Sequence, residues 1–142
     1  MAQLILDTSV VLKWYLADEE DHEAALRLRD GIIDGDHAAV VPSHLTLELA
    51  SGLLAAVRRG RLSDDAIFPA LRAFKRFELP VLDAASLISR AATLAPWIGL
   101  SIYDALFVAA AEATGSTLVT ADRALRERAA AVGSVQMLGE LP

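Results

Sequence analysis

Gln3-Leu4-Ile5-Leu6-Asp7-Thr8-Ser9 is the stretch on which the fold turns. Its apolar run has the length and composition of a strand buried on both faces, it stops at an acid, and from Ser9 to Leu16 apolar residues recur at helical spacing. A strand that passes straight into a helix is the first half of a βαβ unit, and the alternation repeats outward from it. A helix is predicted over about residues 20 to 33, with Ala24, Ala25, Leu28, Ile32 and Ile33 on one face and Gly35 and Asp36 breaking it. Ala38 to Val41 is the next strand. Ser43 then has the character of an N-cap for a helix reaching Arg59, which Gly60 terminates. Further on, helices are expected over Asp64 to Phe77, Ala84 to Ala95 with Pro96 as the stop, Ser101 to Thr114 before Gly115, and Ala121 to Ala131. Strands are expected at Leu79 to Leu82, Thr117 to Val119 and Val135 to Leu138. The pattern is that of the α/β class: a three-layer α/β/α sandwich with a parallel sheet of four to five strands, in one domain over residues 1–142 without linker or repeat. Right-handed crossovers put the strand-to-helix turns along one sheet edge, where ligands of such folds bind.

Composition narrows the function. The 142 residues are 54% apolar, enough for a continuous core, and the formal net charge is −6. An acidic chain does not wrap nucleic acid through a uniformly positive surface, so any contact with RNA must be local. There is no cysteine, which excludes disulfides and thiolate metal sites. Asp7, Lys13 and the acidic run Asp18-Glu19-Glu20-Asp21 interrupt the first apolar stretch, unlike a signal peptide or a membrane span, and a cytoplasmic protein is expected.

Four acids stand out at or near the predicted sheet edge. Asp7 directly follows the first strand, and the competing reading is a simple N-cap. Glu48 sits in an apolar helix with the small residues Ser51 and Gly52 three and four positions on; the competing reading is a solvated stripe with His44 and Arg59. Asp104 lies three residues after Ser101, as in a capping box. Asp122 follows a strand, where an acid also suits the helix dipole. Taken together they imply more. Convergent carboxylates repel, and without a cation their pKa values rise until some are neutral. A divalent ion resolves the conflict, and oxygen ligands without cysteine favour Mg²⁺ or Mn²⁺ over Zn²⁺. Water made acidic by such an ion and attacking phosphorus in line amounts to phosphodiester hydrolysis, leaving a 5′-phosphate and a 3′-hydroxyl.

Leu6-Asp7-Thr8-Ser9-Val10, Glu48 in a helix after Pro42-Ser43, Tyr103-Asp104-Ala105-Leu106 and Thr120-Ala121-Asp122-Arg123 resemble, in order and spacing, the motifs of the PIN-domain ribonucleases, in particular the VapC-type toxins of toxin–antitoxin pairs. The resemblance covers essentially the whole chain. It implies that Asp7, Glu48, Asp104 and Asp122 bind Mg²⁺ or Mn²⁺, with Asp7 and Asp104 as direct ligands, and that the hydroxyls of Ser9 and Thr120 help orient the site. Some members carry a further acid soon after the position of Asp122. Here Leu125 and Arg126 follow, so the pattern for a second ion is incomplete and one or two ions both stay open. The resemblance further implies a homodimer, a VapB-type antitoxin lying across the active-site groove, and structured RNA such as transfer RNA as substrate.

Arg58, Arg59, Arg61, Arg72, Lys75 and Arg76 form a local basic concentration that could hold RNA phosphates; a solvated helix face explains them equally well. Trp14, Trp97, Phe107 and Met137 are read as core or dimer-face residues rather than base-stacking platforms. The helices from Phe68 to Leu94 suggest a hydrophobic face for self-association. Scattered histidines, no Gly-x-Ser-x-Gly elbow and no phosphate-binding glycine run set aside hydrolases of the serine type and nucleotide-binding folds. A phosphoryl-aspartate site lacks its second acid and late lysine, since Lys13 and Lys75 are the only lysines. The alternative from another class is a catalytically inactive PIN-like module that binds RNA or protein.

Overall fold

β1 (Gln3–Leu6) takes the centre of the sheet, and its apolar residues explain why: Leu4, Ile5 and Leu6 are buried, and only a strand covered on both faces can bury a continuous apolar run. The computed structural model describes residues 3–142. Its five strands run in the order β3-β2-β1-β4-β5 and every pairing is parallel, with Ile5 beside Val40 of β2 (Ala38–Pro42) and Leu118 of β4 (Thr117–Thr120). β3 (Val81–Leu82) and β5 (Val135–Met137) form the edges.

The chain moves outward from β1 to β2 and β3, then returns across the sheet to β4 and β5. With right-handed crossovers, α1 (Thr8–Tyr15), α2 (His22–Ile33), α3 (Leu45–Arg58) and α4 (Ile67–Arg76) cover one face, and α5 (Ile88–Ile98), α6 (Ile102–Thr114) and α7 (Arg123–Ala129) the other. This makes the expected α/β/α sandwich. α6 packs on β1, β2 and β4, and its Ala105 to Ala111 are all buried; the alanines let its backbone lie close to the sheet around Phe107. The direction of winding reverses between β1 and β4, and a crevice opens there beyond the strand ends.

Most element ends follow the predicted breakers, and three do not. Ser43 does not cap α3. Its hydroxyl accepts the Ala84 N–H at 2.9 Å while its own N–H donates to the Leu82 carbonyl at 2.8 Å, so it ties β2 to the turn after β3, and the helix begins at Leu45. Pro96 does not stop α5. It lies so near the end that only one hydrogen bond, to the carbonyl of exposed Ala92, is forgone. The helix closes at Gly99, left-handed at φ 69°, with the Leu100 N–H returning to the Ala95 carbonyl. α7 starts at Arg123 rather than Ala121, because Asp122 is its cap. Short 3₁₀ turns precede α4 (Asp64–Ala66) and α5 (Ala84–Leu87) and follow β5 (Leu138–Glu140).

Gly52 sets how closely α1 approaches α3. A Cβ there would lie 2.7 Å from both Leu12 methyl carbons. Gly52→Ala gains about 1 kcal/mol of helix propensity, whereas displacing a packed Leu costs about 1–3 kcal/mol. The crowding wins, and a net loss of about 1 kcal/mol is expected. A denaturant titration checks this; an unchanged midpoint would mean that Leu12 swings aside freely.

Candidate active site

The end of β1 places Asp7 one residue past the strand, still bound to β4 through its N–H to the Val119 carbonyl at 3.0 Å. Asp7 occupies the cap position of α1, yet its side chain makes no cap bond. Instead its Oδ2 accepts from the Ser9 hydroxyl at 2.7 Å and from the Thr120 hydroxyl at 2.7 Å. Ser9 Oγ in turn accepts the Ala121 N–H, and Thr120 Oγ1 accepts the Asp122 N–H, each at 3.0 Å. Two hydroxyls thus stitch the ends of β1 and β4 together around one carboxylate. The Asp7 side chain caps no helix, and Ser9 and Thr120 both donate to its Oδ2.

Asp7 is only 5% exposed. Its carboxyl is raised to about 6: burial pushes it up most, hydrogen bonds from Ser9 and Thr120 pull it down, and the charges of Asp104 and Glu48 add to the rise. Asp104, half-buried at the start of α6, is also raised, first by burial and then by the charges of Glu48 and Asp122, against the pull of Ser101 and His44. The carboxylates therefore feel one another although they come from four separate segments.

Glu48 is held rather than solvated. The Thr8 hydroxyl donates to its Oε1 at 2.8 Å, and His44 Nε2 lies 3.8 Å from the same oxygen. Only the serine half of the expected capping box forms: the Asp104 N–H donates to Ser101 Oγ at 3.2 Å, and the Asp104 carboxylate accepts no backbone N–H among the described residues. Asp122 caps α7, its Oδ1 accepting from the N–H groups of Ala124 and Leu125 at 2.9 and 3.2 Å. Asp7, Glu48 and Asp122 share one feature: one carboxylate oxygen is fixed by the protein, and the other accepts no hydrogen bond among the described residues.

All four acids line one open hollow of about 340 Å³, floored by Thr8, Ser9, Leu12, Ser51 and Gly52. Among the described residues no three His, Asp or Glu side chains are gathered to hold an ion by themselves. An ion held here would therefore keep several waters and take only one or two carboxylates directly, as Mg²⁺ commonly does. The donor set, oxygen only and with free carboxylate oxygens, fits such an ion.

The basic residues lie elsewhere. Arg61 donates to both carboxylate oxygens of Asp18, at 2.8 and 3.0 Å, and sits 3.6 Å from Glu19, so its guanidinium is engaged in an exposed ion pair. Arg58 and Arg59 lie about 15 Å along α3 from Glu48 at 1.5 Å per residue. Arg72 and Lys75 border a larger, mostly apolar hollow of about 770 Å³ between α4 and the β2–β3 edge, with Arg72 over the Phe68 ring at 4.7 Å. Arg76 lines a third hollow, with Ile32, Ile33 and Phe77. Trp14 and Phe107 are core, Trp97 is 75% exposed, and of the suggested apolar face Phe68, Val81 and Ile88 are exposed while Leu94 is buried. Thr8 and His44 contact Glu48, and sequence spacing does not single them out as site residues. Thr8 is flanked by the acid and hydroxyl of its own motif, and His44 stands four residues before Glu48, the spacing at which helix side chains meet.

Residues 4–131 match the sequence pattern of the PIN domain. The chain is 32% identical over 130 residues to Ribonuclease VapC3 of Pyrobaculum aerophilum, covering 89% of this chain and 94% of that protein. Its structure is similar to that of PAE2754 from the same organism, with a TM-score of 0.73 at 22% identity over 97% of this chain and 85% of the other. It is also similar to the DNA-bound VapBC of Salmonella typhimurium, with a TM-score of 0.66 at 19% identity over 97% and 99%. At these identities the two structures speak for the fold.

Proposed function

This chain belongs to the PIN-domain family, and from that membership we propose that it is a Mg²⁺- or Mn²⁺-dependent endoribonuclease, the toxin of a VapBC-type toxin–antitoxin pair acting in the cytoplasm to inhibit translation. The observation that carries the reading is Asp7: a buried carboxylate raised to about 6, not used as a cap, held by two hydroxyls, and sharing its hollow with three more acids. Such a cluster lowers stability unless a cation offsets it.

Asp7 and Asp104 would hold the ion directly, with Glu48 and Asp122 completing the negative field. A bound divalent ion lowers the pKa of water and neutralises charge on the phosphate oxygens. The chain's own residues do the rest. Ser9 and Thr120 fix Asp7 Oδ2 and leave Oδ1 without a hydrogen bond among the described residues, Thr8 fixes Glu48 in the same way, and the α7 amides fix Asp122. The open form of the hollow admits a strand of RNA, transfer RNA included, and Arg58, Arg59, Arg72, Lys75 and Arg76, which lie outside the hollow, would meet the phosphates of RNA that extends beyond it. A VapB-type antitoxin is the protein partner. Exposed Leu47, Phe68, Ile88 and Trp97 offer apolar surface for a homodimer. No single helix among the described residues is long and apolar enough to cross a membrane.

Incubating the purified protein with RNA in Mg²⁺, in Mn²⁺ and in EDTA tests the function. Cleavage confined to the metal arms, with 5′-phosphate and 3′-hydroxyl ends, is expected. Equal survival of RNA in all three would leave a binding protein in place of an enzyme.

A further inference from the structure

His44 is largely covered at the start of α3, with 11% of its side chain exposed, and its two ring nitrogens have opposite circumstances. Nε2 lies 3.0 Å from the Tyr103 carbonyl in α6, next to Asp104, and 3.8 Å from Glu48 Oε1. A carbonyl only accepts, so Nε2 carries the proton. Nδ1 is buried with no partner among the described residues. The ring packs on Phe107, centroid to centroid 4.5 Å. A leucine would fill that space without burying an unpartnered nitrogen, so packing does not account for an imidazole here. What the imidazole alone supplies is the Nε2–H, and that proton joins the helix bearing Glu48 to the helix bearing Asp104. α3 and α6 lie on opposite faces of the sheet, and no other side-chain hydrogen bond runs directly from one to the other among the described residues.

We propose that His44 is a positioning residue for the acid cluster, its Nε2–H on the Tyr103 carbonyl setting the distance of Glu48 from Asp104, and so the negative field around the divalent cation that Asp104 would bind. This rests on the ribonuclease reading. His44 itself touches neither ion nor RNA.

The test separates the two nitrogens. In His44→Gln the side-chain amide reaches the place of Nε2; in His44→Asn it reaches only that of Nδ1; His44→Leu keeps the packing and removes both. Mn²⁺ binding to each protein without RNA, followed by electron paramagnetic resonance of the free ion, is compared with kcat and KM for RNA cleavage. Outer ligand supports are worth about 10–100-fold in affinity or activity, so Asn and Leu are expected to weaken Mn²⁺ binding and lower kcat by about tenfold, with KM for RNA within about twofold and Gln within about threefold of the parent throughout. If Leu does not fold, the contrast between Gln and Asn still decides. Equal Mn²⁺ affinity in Gln and Asn, or parental affinity in Leu, overturns the positioning role while leaving the nuclease intact. A parent that neither binds Mn²⁺ nor cleaves RNA takes both readings down.

Discussion

Asp7→Asn is expected to give a protein that unfolds at higher temperature than its parent and cleaves RNA about a thousandfold more slowly, equivalent to ~4 kcal/mol of lost transition-state stabilisation. The two effects have one cause. At neutral pH the parent holds an ionised carboxylate at 5% exposure, close enough to Asp104 and Glu48 for their charges to raise it further. The shift from 3.8 to about 6 corresponds to about 3 kcal/mol at 1.36 kcal/mol per unit. An amide removes the charge and keeps an oxygen where Ser9 and Thr120 donate, so the hydroxyl stitch between β1 and β4 survives. It also removes the ligand charge on which cation binding depends, and activity falls with it. At about 2–4 °C per kcal/mol for a chain this size, the metal-free melting temperature rises by roughly 9 °C. Calorimetry in EDTA beside a cleavage assay in Mg²⁺ reads both. A variant less stable than the parent would mean that burial does not penalise Asp7 as described, and one with parental activity would remove Asp7 from the reaction.

Gln3 to Asp7 was readable because an apolar run that ends at an acid has one good solution, a central strand meeting the sheet edge. The four acids were readable because each falls at a helix start or among small residues, and because their order matches a known family. The bonds that hold them were less so. Thr8 binding Glu48 links residues 40 apart, and nothing local announces it. Ser43 and Pro96 misled for opposite reasons: a serine after a proline is a good cap until a tertiary N–H claims its hydroxyl, and a proline is a good stop until the helix has only two residues left. Arg61 counted as basic surface until folding brought Asp18 and Glu19 beside it. Short-range chemistry fixed the elements, and long-range partners reassigned individual side chains.

The same buried charge predicts an inverted pH dependence. Most folded carboxylates titrate below their unfolded value and lend stability above it, whereas Asp7 is raised, so the folded state binds the proton more tightly than the unfolded state does. Its contribution is therefore fully present below the unfolded value of 3.8 and is lost as pH climbs through about 6. Asp104 shifts in the same direction. Asp18, beside Arg61, and Asp65, hydrogen-bonded to Asp64 and Ser63, shift the opposite way but are exposed, where solvent and salt screen such interactions. Subtracting Asp7→Asn from the parent isolates the site. In EDTA the variant's advantage should be near zero at about pH 3, grow between pH 4 and 6, and level at about 3 kcal/mol by pH 7, the full value of the shift. Saturating Mn²⁺ should reverse the sign above pH 6, because an ion that binds only the folded, ionised cluster adds RT ln(1 + [L]/Kd), about 4 kcal/mol at a roughly thousandfold excess over Kd, to the parent alone. Denaturant midpoints across that pH range, with and without Mn²⁺, give the whole curve. A parent-minus-variant difference that is flat with pH in EDTA would show Asp7 titrating at its ordinary value, and a difference that Mn²⁺ leaves unchanged would show a cluster that holds no cation.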